Sequence, residues 1–131
     1  MILWLSKRNQ TVSQGNPLDK NFKIPADQIR ELIIPIGACF ASDRILVDGA
    51  KVGYMYREPA DFDVDSGWRF LAGDESEEYL ETPEHHGIYD VNVIANYDED
   101  IIPLLDSPEY SEYERDPKTG EFEEVEEDEE E

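Results

Sequence analysis

The sequence predicts a single α+β domain built on a small, mostly antiparallel sheet with several short helices. Chain length, periodicity and composition each point to it. The 131 residues match the usual size of one domain and leave no room for a second, catalytic one. Two segments, KVGYMYR at 51–57 and GWRFLAG at 67–73, alternate with the two-residue period of a strand, whereas RILV, VNVIAN and Ile101–Leu105 are short apolar stretches behind the caps Ser42, Asp90 and Asp98. Apolar residues make up 39% of the chain and aromatics 11%, enough for one core, since a chain of this size buries roughly two-thirds of its unfolded surface.

The opening MILWLS is too short for a secretory signal, and Lys7 and Arg8 follow it instead of preceding it. Residues 1–24 read as an extended lead-in, rich in Asn, Gln, Ser, Gly and Pro without periodicity. In PADQIRELI, Pro25 suits a first helical turn and Ile29, Leu32 and Ile33 follow helical spacing, so a short amphipathic helix is predicted there, ended by Pro35. Ile36 to Ala41 reads as a buried strand, and Cys39 within it as a small buried hydrophobe with no partner for an internal disulfide. In SDRILVDG, Ser42 caps a short helix and Gly49 ends it.

The strand at 51–57 sets Val52, Tyr54 and Tyr56 against Gly53, Met55 and Arg57. The strand at 67–73 sets Trp68, Phe70 and Ala72 against Arg69 and Leu71, and the two are expected to be sheet neighbours across the acidic loop between them. Ser76 to Leu80 gives a helical turn. Asp90 caps a helix over VNVIAN, and Asp98 caps a turn through Ile101 to Leu105 that Pro103 keeps irregular. The expected organisation is a domain over 25–108, a terminal hairpin over 109–125 around the turn former DPKTG, and a disordered acidic tail at 126–131.

The formal net charge is −22 and is unevenly placed. Residues 1–30 carry +3, residues 31–108 carry −14, and residues 109–131 carry −11, so the folded body is itself acidic. Phosphate-backbone binding needs lysine and arginine that this body lacks, which excludes nucleic acid as a direct partner. Anionic lipid would repel the chain, and no run approaches the roughly 18 apolar residues of a membrane span. The expected setting is the cytoplasm, and the natural complement is a basic protein.

Asp61, Asp63 and Asp65 alternate as at the start of an EF-hand loop, but the register fails. Counted from Asp61, the glycine position holds Ser66 and the bidentate glutamate position holds Ala72. A solvated acidic loop with at most weak divalent binding is expected instead. His85 and His86 are adjacent and do not offer the i, i+4 spacing of a zinc helix, so they read as loop. With no phosphate-binding loop, nucleophile elbow or Cys–His arrangement, the sequence calls for no catalytic residue, no metal and no cofactor. It carries an aromatic and acidic surface instead. Aromatic anchors inside an acidic rim suit capture of a basic protein, and the candidate partner-binding residues are Tyr54, Tyr56, Arg57, Asp61, Asp63, Asp65, Trp68, Asp74, Glu75 and Glu78.

GACFASDRI, KVGYMYREP, DSGWRFLAGDESEEY and GIYDVNVIANYDEDIIPLLDSP together resemble a bacterial family first listed as a domain of unknown function. That family was later assigned as the thirty-third immunity-protein family of polymorphic toxin systems. The resemblance covers Ile36 to Pro108, with matching positions at Gly53, Tyr56, Arg57, Glu58, Asp65, Ser66, Gly67, Trp68, Gly73, Asp74 and Glu75. It implies an α+β domain that binds and neutralises a cognate toxin or that of a competitor. In such families shared motifs often maintain the fold while the toxin-facing surface varies. The alternative is a housekeeping regulatory or scaffold module that binds an endogenous protein or small ligand.

Overall fold

A computed structural model describes residues 20–125. The opening MILWLS, the lead-in up to residue 19 and the acidic tail at 126–131 lie outside the described residues. The apolar run before Ser42 forms β1 (Ala38–Ser42), and the two alternating segments form β2 (Tyr54–Arg57) and β3 (Asp65–Leu71). β2 and β3 are antiparallel neighbours, as their alternation predicted, with Tyr54 opposite Leu71 and Arg57 opposite Trp68. Three further strands complete the sheet: β4 (His86–Asp90), β5 (Glu112–Arg115) and β6 (Phe122–Glu124). The strand order is β4-β1-β3-β2-β5-β6, and only β1 and β3 run parallel.

Every residue of β3 is buried, because the strand has a neighbour on each side and cover on each face. On one face Trp68 and Phe70 join Cys39, Ala41 and Met55 in the main core. On the other, Leu71 joins Phe40 and Tyr56 in a smaller cluster, covered by Phe62 and Leu80. Three short helices follow, the first and third from the caps predicted for them and the second at the predicted turn. α1 (Asp43–Leu46) starts where Ser42 Oγ accepts from Arg44 N–H, α2 (Glu77–Glu81) where Ser76 accepts from Tyr79 N–H, and α3 (Val91–Tyr97) where Asp90 accepts from Asn92 N–H. Asp98 caps a 3-10 turn over Glu99–Leu104, and Pro103 inside it accounts for the tighter, irregular winding. α1, α3 and this turn close the main core through Ile45, Leu46, Val91, Ile94 and Ile101.

β5 pairs with β2, so the last hairpin extends the sheet directly. Arg115 fastens it. Its Nε donates to Val52 O at 2.8 Å and Nη1 to Gly120 O at 2.7 Å, while Nη2 pairs with the buried Asp98.

Two expectations need correction. The segment PADQIRELI makes only a 3-10 turn at Ala26–Gln28 and is extended from Ile29 onward. Its backbone is held by side chains of α3. Asn92 Oδ1 accepts from Leu32 and Ile33 N–H at 2.8 and 3.2 Å, and Asn96 Oδ1 accepts from Arg30 N–H at 2.9 Å. Both amide groups also donate to Arg30 O at 2.8 Å. These bonds supply what a helix would otherwise satisfy internally. The histidines are not loop residues either. His85 ends a 3-10 turn and stacks on Tyr79 at 4.1 Å between ring centres, and His86 begins β4 and is buried.

Candidate interaction surface

The loop between β2 and β3 is organised by an ion pair inside the domain. Arg69 Nη1 and Nη2 donate to Asp65 Oδ1 and Oδ2 at 2.9 and 2.8 Å, and neither side chain is exposed to solvent. Arg69 Nε donates to Glu58 Oε2 at 2.7 Å, and the guanidinium stands 4.6 Å from the Phe40 ring centre. Asp65 also accepts from the backbone N–H of Asp61 and Gly67, at 2.7 and 2.8 Å. Burial opposes the charged Asp65, but the Arg69 guanidinium and these two N–H groups overcome it and hold the carboxyl below the usual carboxylate range. Burial likewise opposes charge on Arg69, and its two carboxylates more than restore it.

The residues around this pair serve the chain itself. Gly67 has φ +90°, and a Cβ there would stand 2.1 Å from Glu58 O, so only glycine fits. Ser66 Oγ donates to Ala38 O at 2.6 Å where the β1–β3 register shifts, replacing a ladder bond. Arg57 spends Nε on Ser66 O and Nη1 on Ser107 O, at 3.0 and 2.7 Å. Trp68 has no exposed surface and donates its indole N–H to Leu105 O at 3.3 Å. Of the candidate partner-binding residues, Tyr56, Asp65 and Trp68 are therefore inside the domain, and Arg57 is half-buried against backbone carbonyls.

The other candidates do not share one face. Asp61 and Asp63 are exposed in the loop that enters β3. Tyr54, Asp74, Glu75 and Glu78 lie at the opposite end of the strand, roughly 20 Å away along its seven residues. There an open cleft of about 620 Å3 is lined by Tyr54, Leu71, Asp74, Glu75, Leu80 and Glu114, among others. Most of its polar groups have internal work. Asp74 takes a bidentate pair from Arg44 at 2.7 and 3.0 Å, and that hydrogen bonding holds its carboxyl below the usual range. Glu75 accepts from Ala72 and Gly73 N–H and fixes the turn after β3. Tyr54 donates to Glu112 at 2.5 Å, and burial followed by that carboxylate pushes its hydroxyl pKa up. Glu78 is exposed.

Among the described residues, no group of three or more His, Cys, Asp or Glu side chains is placed to hold a metal ion. Burial pushes the Cys39 thiol far up, as suits a core residue. Ile34, Val64 and Tyr110, none of which the sequence singles out, are hydrophobic side chains that are 78%, 64% and 77% exposed. Tyr110 also adopts φ +76°. Val64 stands between Asp63 and Asp65 and Tyr110 between Glu109 and Ser111, polar surroundings in which nothing requires an apolar side chain.

The family model described as Immunity protein Imm33 domain matches residues 39–126, about two-thirds of the chain. The chain belongs to the Imm33 immunity-protein family. No curated protein and no solved structure matches it. The matched range takes in β1 through β6 apart from Ala38, and with them the ion pair and the hairpin fastened by Arg115. In this Imm33 domain, Asp65, Ser66, Gly67 and Trp68 act on the fold. Gly53 does the same, since a Cβ there would stand 2.0 Å from Ala72 O. No helix among the described residues is long and apolar enough to cross a membrane.

Proposed function

We propose that this Imm33 domain neutralises a protein toxin by binding it, and that the toxin surface it covers is basic. Membership of an immunity family carries the reading. The distribution of charge supports the finer part: exposed acids stand at both ends of β3, at Asp61 and Asp63 and at Glu77 and Glu78, while the shared motif is turned to internal bonding. Exposed acids of one sign steer a basic partner into encounter and add specificity to the contact. The domain acts by occlusion, without chemistry of its own, in the cytoplasm of a bacterium carrying a polymorphic toxin system. Copurification tests this: a basic toxin domain coexpressed with the tagged chain stays bound at low salt and is released earlier as salt rises. Retention of neutral or acidic partners only, independent of salt, would refute the charge reading.

The cleft beside Tyr54 favours a second reading, a housekeeping module that takes an endogenous protein or a small ligand there. Ligand-induced shifts of the Tyr54 and Gly73 amides in a cell extract freed of protein would support it.

A further inference from the structure

Deepening the toxin-binding reading and resting on it, we infer that the contact is made at the end of the sheet where β3 begins, with Tyr110 and Val64 as apolar anchors for a basic protein surface. Tyr110 carries the inference. It is 77% exposed, so packing does not require it, and its φ of +76° is one that a bulky L-residue rarely adopts. An aromatic in this place is disfavoured by both local conformation and solvent, and such outliers gather at functional positions. The strain is built in by the strand ends: Tyr110 N–H donates to Arg57 O at 2.6 Å, and Arg57 reaches back to Ser107 O.

Val64, 64% exposed, stands at the start of β3, where its carbonyl accepts from Ala38 N–H at 2.8 Å. β2 lies between β3 and β5, so strand spacing and rise place Val64 and Tyr110 about 15 Å apart, within one ordinary interface patch. Asp61 and Asp63 precede Val64, and Asp106 and Glu109 precede Tyr110, all exposed. Arg57, the cation between the anchors, has its Nε and Nη1 occupied by carbonyls. Apolar anchors ringed by acids fit a partner that presents arginine or lysine around an apolar spot, the composition of an interface centre with a charged rim.

Amide shifts of the full-length 15N-labelled chain, titrated with a short peptide alternating arginine and leucine, test the surface. Oligoarginine of the same length is the control. The alternating peptide is expected to move the amides at 61–64 and 106–111, whereas oligoarginine moves the glutamates after Phe122 and leaves Val64 and Tyr110 in place. Tyr110→Gly suits the positive φ and so keeps the fold, yet it is expected to weaken the alternating peptide by about tenfold or more. Shifts confined to the Tyr54 cleft, equal effects of both peptides, no shift at all, or undiminished binding by Y110G would each overturn the surface. Failure of the toxin reading is distinguishable from this. A chain that neutralises a toxin but fails the mapping loses only the surface, and one that maps as expected but neutralises no toxin loses only the reading.

Discussion

Asp65 and Arg69 face each other across two hydrogen bonds of 2.9 and 2.8 Å with neither side chain exposed to solvent. A dry charge pair of this kind contributes little over an apolar pair of the same shape. Removal of one partner is another matter, because it strands the other charge in the interior. The loop that reads as solvated acid in the sequence is thereby tied to the middle of the sheet.

Asp65→Asn is expected to cost about 3–5 kcal/mol, because Arg69 stays buried with half of its compensation gone. Urea denaturation followed by tryptophan fluorescence checks it. Asp61→Asn and Asp63→Asn, at exposed positions, are expected to leave the midpoint nearly unchanged.

The same pair sets an acid limit. The Asp65 carboxyl lies below its ordinary range in the fold, so it adds stability above the unfolded value of about 3.9 and loses that contribution as pH falls through the folded one. Stability is therefore expected to decline below about pH 4, and 1 M salt is expected to change that decline little because the pair is dry. Thermal melts across pH, for the wild type and for D65N, check both statements. The variant should lose the part of the slope that belongs to Asp65.

Gly67→Ala and Gly120→Ala separate two costs. Both positions have positive φ, +90° and +78°, but a Cβ at Gly67 meets Glu58 O at 2.1 Å and one at Gly120 meets nothing within 4 Å. Gly120→Ala is expected to cost about 1 kcal/mol, the left-handed penalty alone, and Gly67→Ala clearly more. Parallel denaturation curves of the two variants measure the difference.

Asn92→Ala is expected to release the segment at 30–33 from α3 at a cost of about 1–3 kcal/mol, since three of its hydrogen bonds end on the Asn92 amide. Hydrogen exchange reads this locally. The Leu32 and Ile33 amides should lose protection while those of β3 keep it.

Much of the fold was legible because its signals are local. Ser42, Ser76, Asp90 and Asp98 cap the helices they precede, and the period of two in β2 and β3 gave their pairing. What was not legible depends on distant partners. The spacing of Ile29, Leu32 and Ile33 fits a helix, and the segment is extended because Asn92 and Asn96, some sixty residues on, hold its backbone. β4 carries a glycine, two polar ends and a partly exposed Ile88, so its strand character comes from pairing with β1. In the candidate site, Asp63 reads as exposed acid and is one, whereas Asp65, two residues later, is not. The clue was Arg69: residues four apart on a strand share a face, and a lone charge among Trp68, Phe70 and Leu71 needs a partner.

Toxin neutralisation by this domain is measured as survival of bacteria that coexpress the chain with basic toxin domains. Rescue from at least one toxin is expected, with the toxin copurifying in a complex that high salt weakens. A folded chain that rescues cells from none of them and retains no basic protein would rule out neutralisation by charge-steered binding.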